Sequence, residues 1–130
     1  MNNKTSYWVP KHSARVFVEQ VDIVSGVGRT RAEAAGEGAT RFHGVHRVIS
    51  DLGVFDFAGP GHTMRFVSVH PGVTVDQVQE ASSFPIALPD AARGSDDVPL
   101  TREPSPGELM LIREMLDPRK LREREVPTDA

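Results

Sequence analysis

The sequence predicts an α/β fold: a partial sheet carrying one β-hairpin, a short helix and a C-terminal helical tail. Three observations predict it. A dense run of β-branched and aromatic residues lies between Arg47 and Phe57. A Gly59-Pro60-Gly61 turn separates that run from the apolar stretch Met64 to Val69. Two helix-start signatures follow, at Thr74 and at Ser105.

The chain of 130 residues is long enough for one domain. Its apolar residues concentrate between Val16 and Leu88, so about seventy residues must supply the core, and a core of that size is marginal. The reading divides the chain into an N-terminal arm (1–13), an α/β core segment (14–89), a linker (90–104) rich in Pro, Gly, Asp and Arg, and a helical tail (105–130). The arm is polar apart from Tyr7, Trp8 and Val9. It is either a disordered lead-in or a segment that docks on a partner.

Alternation of Val16 and Val18 with Phe17, then Val21, Ile23 and Val24, predicts a first strand. The stretch Ser25-Gly26-Val27-Gly28 ends it, and Thr30 to Ala35 suits a short helix that Gly36 closes. From Arg47 to Phe57 both faces are apolar, which predicts one strand covered on both sides, with Gly53 marking a bulge or a close backbone approach. A five-residue turn over 58–62 returns the chain as a hairpin. Thr74 as N-cap with Gln77 three residues on forms a capping box for a helix ending near Ser83, with Val73 placed as its hydrophobic staple. Ser105, Pro106 and Glu108 repeat the signature with proline in the first turn. Leu109, Ile112 and Leu116 then share one face until Asp117-Pro118, so the tail needs a surface to lie on.

Net charge is −3 and the isoelectric point near 5.9, with no basic patch, which argues against nucleic acid and anionic membranes as partners. The absence of cysteine excludes disulfides, thiolate metal sites and cysteine nucleophiles. No apolar run approaches a membrane span, and Met1 to Lys11 has no signal-peptide core, so a cytoplasmic location is expected.

Candidate chemistry is sparse. Gly26, Gly28, Arg29 and Arg31 follow a strand, as an anion-binding turn would, but Arg31 occupies the place of the third glycine of a dinucleotide fingerprint. These four residues form either an anion site or an ordinary loop with solvated arginines. His43, His46 and His70 lack a carboxylate at a metal-ligand spacing, so no metal site is assigned. Asp51 and Asp56 lie in an apolar strand, where each carboxylate must be paired, exposed or perturbed. The expected role of Asp51 is a hydrogen bond beside Gly53. No catalytic residue is assigned.

Two runs together carry a family resemblance. One is Arg47-Val48-Ile49-Ser50-Asp51-Leu52-Gly53-Val54-Phe55-Asp56-Phe57. The other is Val69-His70-Pro71-Gly72-Val73-Thr74-Val75-Asp76-Gln77-Val78 with Ala81-Ser82-Ser83-Phe84-Pro85. In order and spacing they resemble the closing half of the β subunits of two-subunit family I CoA-transferases. The tail from Pro104 to Val126 is similar to the glutaconate-type branch, which includes a hydrolase that opens a steroid-derived ring as its CoA thioester. The resemblance implies a CoA-transferase-type sheet, a coenzyme A thioester as substrate with no permanently bound cofactor, and an α-type partner subunit in a hetero-oligomer. It implies an architectural role here, with Gly26, Gly28, Arg29 and Arg31 walling the substrate cleft. The family's catalytic glutamate belongs to a region with no counterpart in this chain, and Glu19, Glu33 and Glu37 are not in its context. The chain also departs from the family in having Gly-Val-Gly after Ser25 and His43-Gly44-Val45 before the main strand. The alternative is a non-catalytic interaction module that keeps the subunit interface.

Overall fold

The computed structural model describes residues 4–23, 29–37 and 44–125. Its centre is a four-stranded mixed sheet in the order β1-β2-β3-β4, formed by β1 (Thr5–Val9), β2 (Val45–Ser50), β3 (Gly53–Asp56) and β4 (Arg65–Val69). β1 runs parallel to β2, and β3 is antiparallel to both β2 and β4. The carboxyl ends of β1, β2 and β4 therefore converge at one end of the sheet. Helix α1 (Arg29–Ala34) precedes β2, and α2 (Val75–Glu80) follows β4. The tail holds α3 (Pro106–Met110), a wide-turned π-helical continuation Leu111–Leu116, and α4 (Arg122–Glu125).

The register builds the core. Val48 pairs with Phe55, and Phe55 with Phe66, so three apolar side chains stand in one row across β2, β3 and β4. Val54 faces Ser68 while Phe55 faces Phe66, so β4 carries one extra residue, Val67, in a bulge. Phe55, Phe66 and Val78 are fully buried, joined by Phe17, Met64, Ile86 and Val98. Each such side chain contributes about 1.5–3 kcal/mol by leaving water.

The predicted hairpin is present as β3 and β4, joined through a 3-10 turn at Pro60–His62. Both capping boxes are formed. Thr74 Oγ1 accepts from Gln77 N at 3.2 Å, and Gln77 Oε1 accepts from Thr74 N at 2.9 Å. The Ser105 and Glu108 pair does the same, with Pro106 opening the helix. Val73 packs beside the core as the staple residue. The Gln79 side chain then braces the exit from α2, accepting from Ile86 N at 3.0 Å and donating to the Phe84 carbonyl at 2.8 Å.

Three expectations are corrected. The segment expected to be an arm supplies β1, because residues 5–9 pair in parallel with β2. The run from Val16 onward forms no strand among the described residues. Val16 and Phe17 both donate to the Ser13 carbonyl in a turn, and Val16, Val21 and Ile23 are exposed, so only Phe17 reaches the core. The run 47–57 is two strands, not one. The Ser50 hydroxyl accepts from Leu52 N at 3.2 Å and Gly53 N at 3.4 Å and turns the chain between β2 and β3.

The two sheet edges differ. Outside β4, Phe66 N donates to Ala87 O and Ala87 N to Met64 O, while Val69 N donates to Pro99 O and Thr101 N to Val69 O, so returning chain covers that edge. β1 has no strand on its outer side among the described residues, and Tyr7 and Trp8, on opposite faces, are each half exposed. The tail helices bury no residue; Met110, Leu111, Ile112, Met115 and Leu116 are all exposed. Among the described residues, no helix is long and apolar enough to cross a membrane.

Candidate functional site

At the carboxyl ends of the parallel strands lies a polar network centred on Ser50, which has no exposed surface. His12, just beyond β1, is buried and stacked on Phe17 with ring centroids 4.0 Å apart. Its Nδ1 lies 2.9 Å from Ser50 Oγ and its Nε2 lies 2.7 Å from Ser82 Oγ. The His12 amide donates to Asp51 Oδ1 at 2.7 Å; the bond expected of Asp51 beside Gly53 is made instead by Ser50 Oγ, which accepts from Gly53 N. The donor directions follow from the neighbours. Ser82 Oγ donates to the Val78 carbonyl at 2.8 Å, so it accepts from His12 Nε2–H. His12 Nδ1 is then the acceptor for the Ser50 hydroxyl, and the ring is neutral. Burial lowers the pKa of His12 below 6.5, against the opposing charge of Asp51.

His70 meets the same hub from the end of β4. Its Nε2 donates to the Ser50 carbonyl at 2.8 Å, its Nδ1 lies 2.9 Å from Thr101 Oγ1, and Thr101 Oγ1 lies 2.7 Å from Ser68 Oγ. The network thus closes off the carboxyl ends of β1, β2 and β4. It is a positioning device: its imidazoles are consumed by internal hydrogen bonds.

The opposite end carries a charged cluster. Arg65 grips Asp56 with two bonds, Nε to Oδ1 at 3.1 Å and Nη2 to Oδ2 at 2.8 Å. Arg47 adds a contact of 3.3 Å, and Ala58 N donates to Oδ1 at 3.1 Å. Burial alone would raise the Asp56 pKa. The Arg65 hydrogen bonds, the Ala58 amide and the two guanidinium charges outweigh it and hold the carboxylate below its usual range. Asp56 is thereby a structural anion.

Of the residues singled out for anion binding, Gly26 and Gly28 lie outside the described residues, as does His43. Arg29 opens α1 and Arg31 is exposed within it. α1 faces the Pro60–His62 turn, with His62 Nε2 3.2 Å from Glu33 Oε2, which sets it by the amino ends of β2 and β4, away from the Ser50 hub. His46 is exposed on β2, and His70 is engaged as described. Among the described residues no three His, Asp or Glu gather as metal ligands. Sequence reasoning missed the His12–Ser50–Ser82 network, whose members are 38 and 70 positions apart. The one local signal was Ser50-Asp51 before Gly53, a turn signature inside an apolar run.

No family model matches the chain. It is 56% identical over 126 residues to the cholesterol ring-cleaving hydrolase IpdB subunit of Rhodococcus jostii, a match covering 97% of this chain and 47% of that protein. The crystal structure of Rhodococcus jostii RHA1 IpdAB superposes with a TM-score of 0.83 over 96% of this chain and 48% of that one. Over nearly its whole length the chain is similar to the IpdB subunit, and it shares the fold of IpdAB. Glutaconate coenzyme A-transferase from Acidaminococcus fermentans shares the fold, with a TM-score of 0.72 over 91% of this chain and 43% of that chain at 22% identity. The chain spans about half the length of the curated relatives it matches.

Proposed function

We propose that this chain is the C-terminal portion of a β-type subunit that works with an α-type subunit on acyl-CoA thioesters. Within that class, hydrolytic ring opening of a steroid-derived CoA thioester is favoured over CoA transfer. The observation that carries this is the 56% identity over 97% of the chain to a subunit of a cholesterol ring-cleaving hydrolase. The contribution of these residues is architectural. The open edge of β1 continues the sheet, the exposed apolar tail seats against the assembly, and Gly26, Gly28, Arg29 and Arg31 line the approach for the anionic phosphates of coenzyme A. The thioester enters as substrate; no residue of this chain is assigned to bond making.

The test is to co-express the chain with the remaining portion of its subunit and an α-type partner, then assay a steroid-ring CoA thioester. Arg29→Ala with Arg31→Ala should raise KM at least tenfold with kcat within twofold, the pattern of lost uniform binding. Unchanged KM removes the assignment of the arginines, and an assembly inert on every CoA thioester removes the enzyme reading. A second reading, a non-catalytic interaction module, is favoured by the engagement of His12, Ser50 and His70 in internal hydrogen bonds. An inert assembly that still forms would support it.

A further inference from the structure

The Ser50 hub fixes more than the sheet end. Residues 10–17 cross from β1 over the end of β2 and are fastened at few points. Ser83 N donates to Phe17 O at 3.0 Å and Ser83 Oγ to Ala14 O at 2.8 Å. Phe17 packs into the core, and among the described residues the other ties run through His12: its amide to Asp51 and its two ring nitrogens to Ser50 and Ser82, with its face on Phe17. Around it, Val16, Val21 and Ile23 are exposed and contribute little packing.

The network accepts only the neutral ring. Ser50 Oγ already accepts from Leu52 N and Gly53 N, and it spends its hydrogen on His12 Nδ1. A proton on Nδ1 would set two hydrogens against each other in a buried site, with no second acceptor for the Ser50 hydroxyl among the described residues. His70 differs. Its Nδ1 faces Thr101 Oγ1, which can rotate and donate to Ser68 Oγ instead, so a proton there is absorbed by a hydroxyl flip. The groups that face His12 are Asp51 and Ser50 from the β2 end, Ser82 beyond α2, Phe55 from β3 and Phe17 from its own segment. His70 bonds the Ser50 carbonyl rather than its hydroxyl, and Lys11, next in the chain, is exposed. Asp51 is the ionisable side chain that favours the proton, and it is already engaged by the His12 amide.

We propose that His12 is a pH-sensitive fastener: neutral, it pins residues 10–17 across the carboxyl end of the sheet through Ser50 and Ser82, and protonated, it releases them.

The test is amide hydrogen exchange and imidazole nitrogen NMR on the protein in its purified assembly, from pH 8 to pH 5. Protection of the amides of residues 12–17, corrected for intrinsic exchange, should fall on the order of tenfold between pH 7.5 and pH 5. His12→Leu should remove that pH dependence and His70→Gln should keep it. On the wild-type protein the His12 ring should carry its proton on Nε2 at pH 7.5 and titrate below 6.5. An Nδ1–H tautomer, a midpoint at or above 6.5, constant protection across the range, or a dependence that follows His70 would each overturn the proposal. The NMR readouts need no variant, so they decide the matter even where His12→Leu does not fold.

Discussion

Gly53→Ala adds a single carbon at a close backbone approach between β3 and β4. A Cβ built at Gly53 falls 2.7 Å from the Ser68 carbonyl oxygen and 3.4 Å from both the Phe55 ring and the Val69 Cα. The last two are ordinary contacts, but the first lies well inside the distance at which carbon and oxygen meet. The obstacle is backbone, so no side-chain rotation relieves it. β3 must move from β4 by about 0.5 Å, at the start of the strand where Gly53 pairs with Val69 and one step from the bulge. The adjoining bond from His70 N to Leu52 O, 2.9 Å, stretches with it. Overpacking of this kind costs about 1–3 kcal/mol. Alanine's lower freedom in the unfolded chain returns about 0.4–1 kcal/mol, so a net loss of about 1–2 kcal/mol is expected. Urea denaturation of the two proteins gives the difference from their midpoints at a common slope. A variant as stable as the parent would refute the claim that contact with β4 demands glycine here.

Two further outcomes follow from the same structure. Ser50→Ala removes the donor to His12 Nδ1 and the acceptor for two amides in a site with no exposure, so it should cost about 1–3 kcal/mol by denaturant titration, with Ser83→Ala, an exposed neighbour, costing less. Glu108 is held at about 2 by paired hydrogen bonds from Arg102 and by the Ser105 amide. A depressed carboxylate stabilises above its unfolded value, so the helical signal of the tail should be level above pH 4.5 and decline as pH falls toward 2; Glu108→Gln should flatten that decline.

What the sequence disclosed divides by range. Both capping boxes, the proline-led start at Pro106, the hairpin turn and the glycine at 53 were legible because each is set by chemistry within a few residues. The turn at Ser50-Asp51-Leu52 was hidden by its apolar flanks: periodicity averaged across it and joined β2 to β3. The run from Val16 to Ile23 misled in the opposite sense. Its β-branched residues suit a strand, but its backbone finds turns and the Ser83 contact in place of a ladder partner, and Phe17 alone is drawn inward to stack on His12. β1 was unreadable as a strand because Ser6, Tyr7 and Trp8 bury little; its place comes from pairing with residues forty positions away. The His12–Ser50–Ser82 network is invisible to local reading for the same reason. The family, by contrast, was legible from Arg47–Phe57 and Val69–Pro85, and the match to the IpdB subunit and the IpdAB fold bears it out.

Both the open edge of β1 and the tail with Met110, Leu111, Ile112, Met115 and Leu116 exposed point to a chain whose surfaces are finished by other polypeptide. Native mass spectrometry of the protein purified from its source, with the mass of every component, tests this most directly. The account predicts a stoichiometric complex with an α-type subunit and the remaining β-subunit residues, and no free species. A folded, unpartnered chain of 14.2 kDa would contradict it.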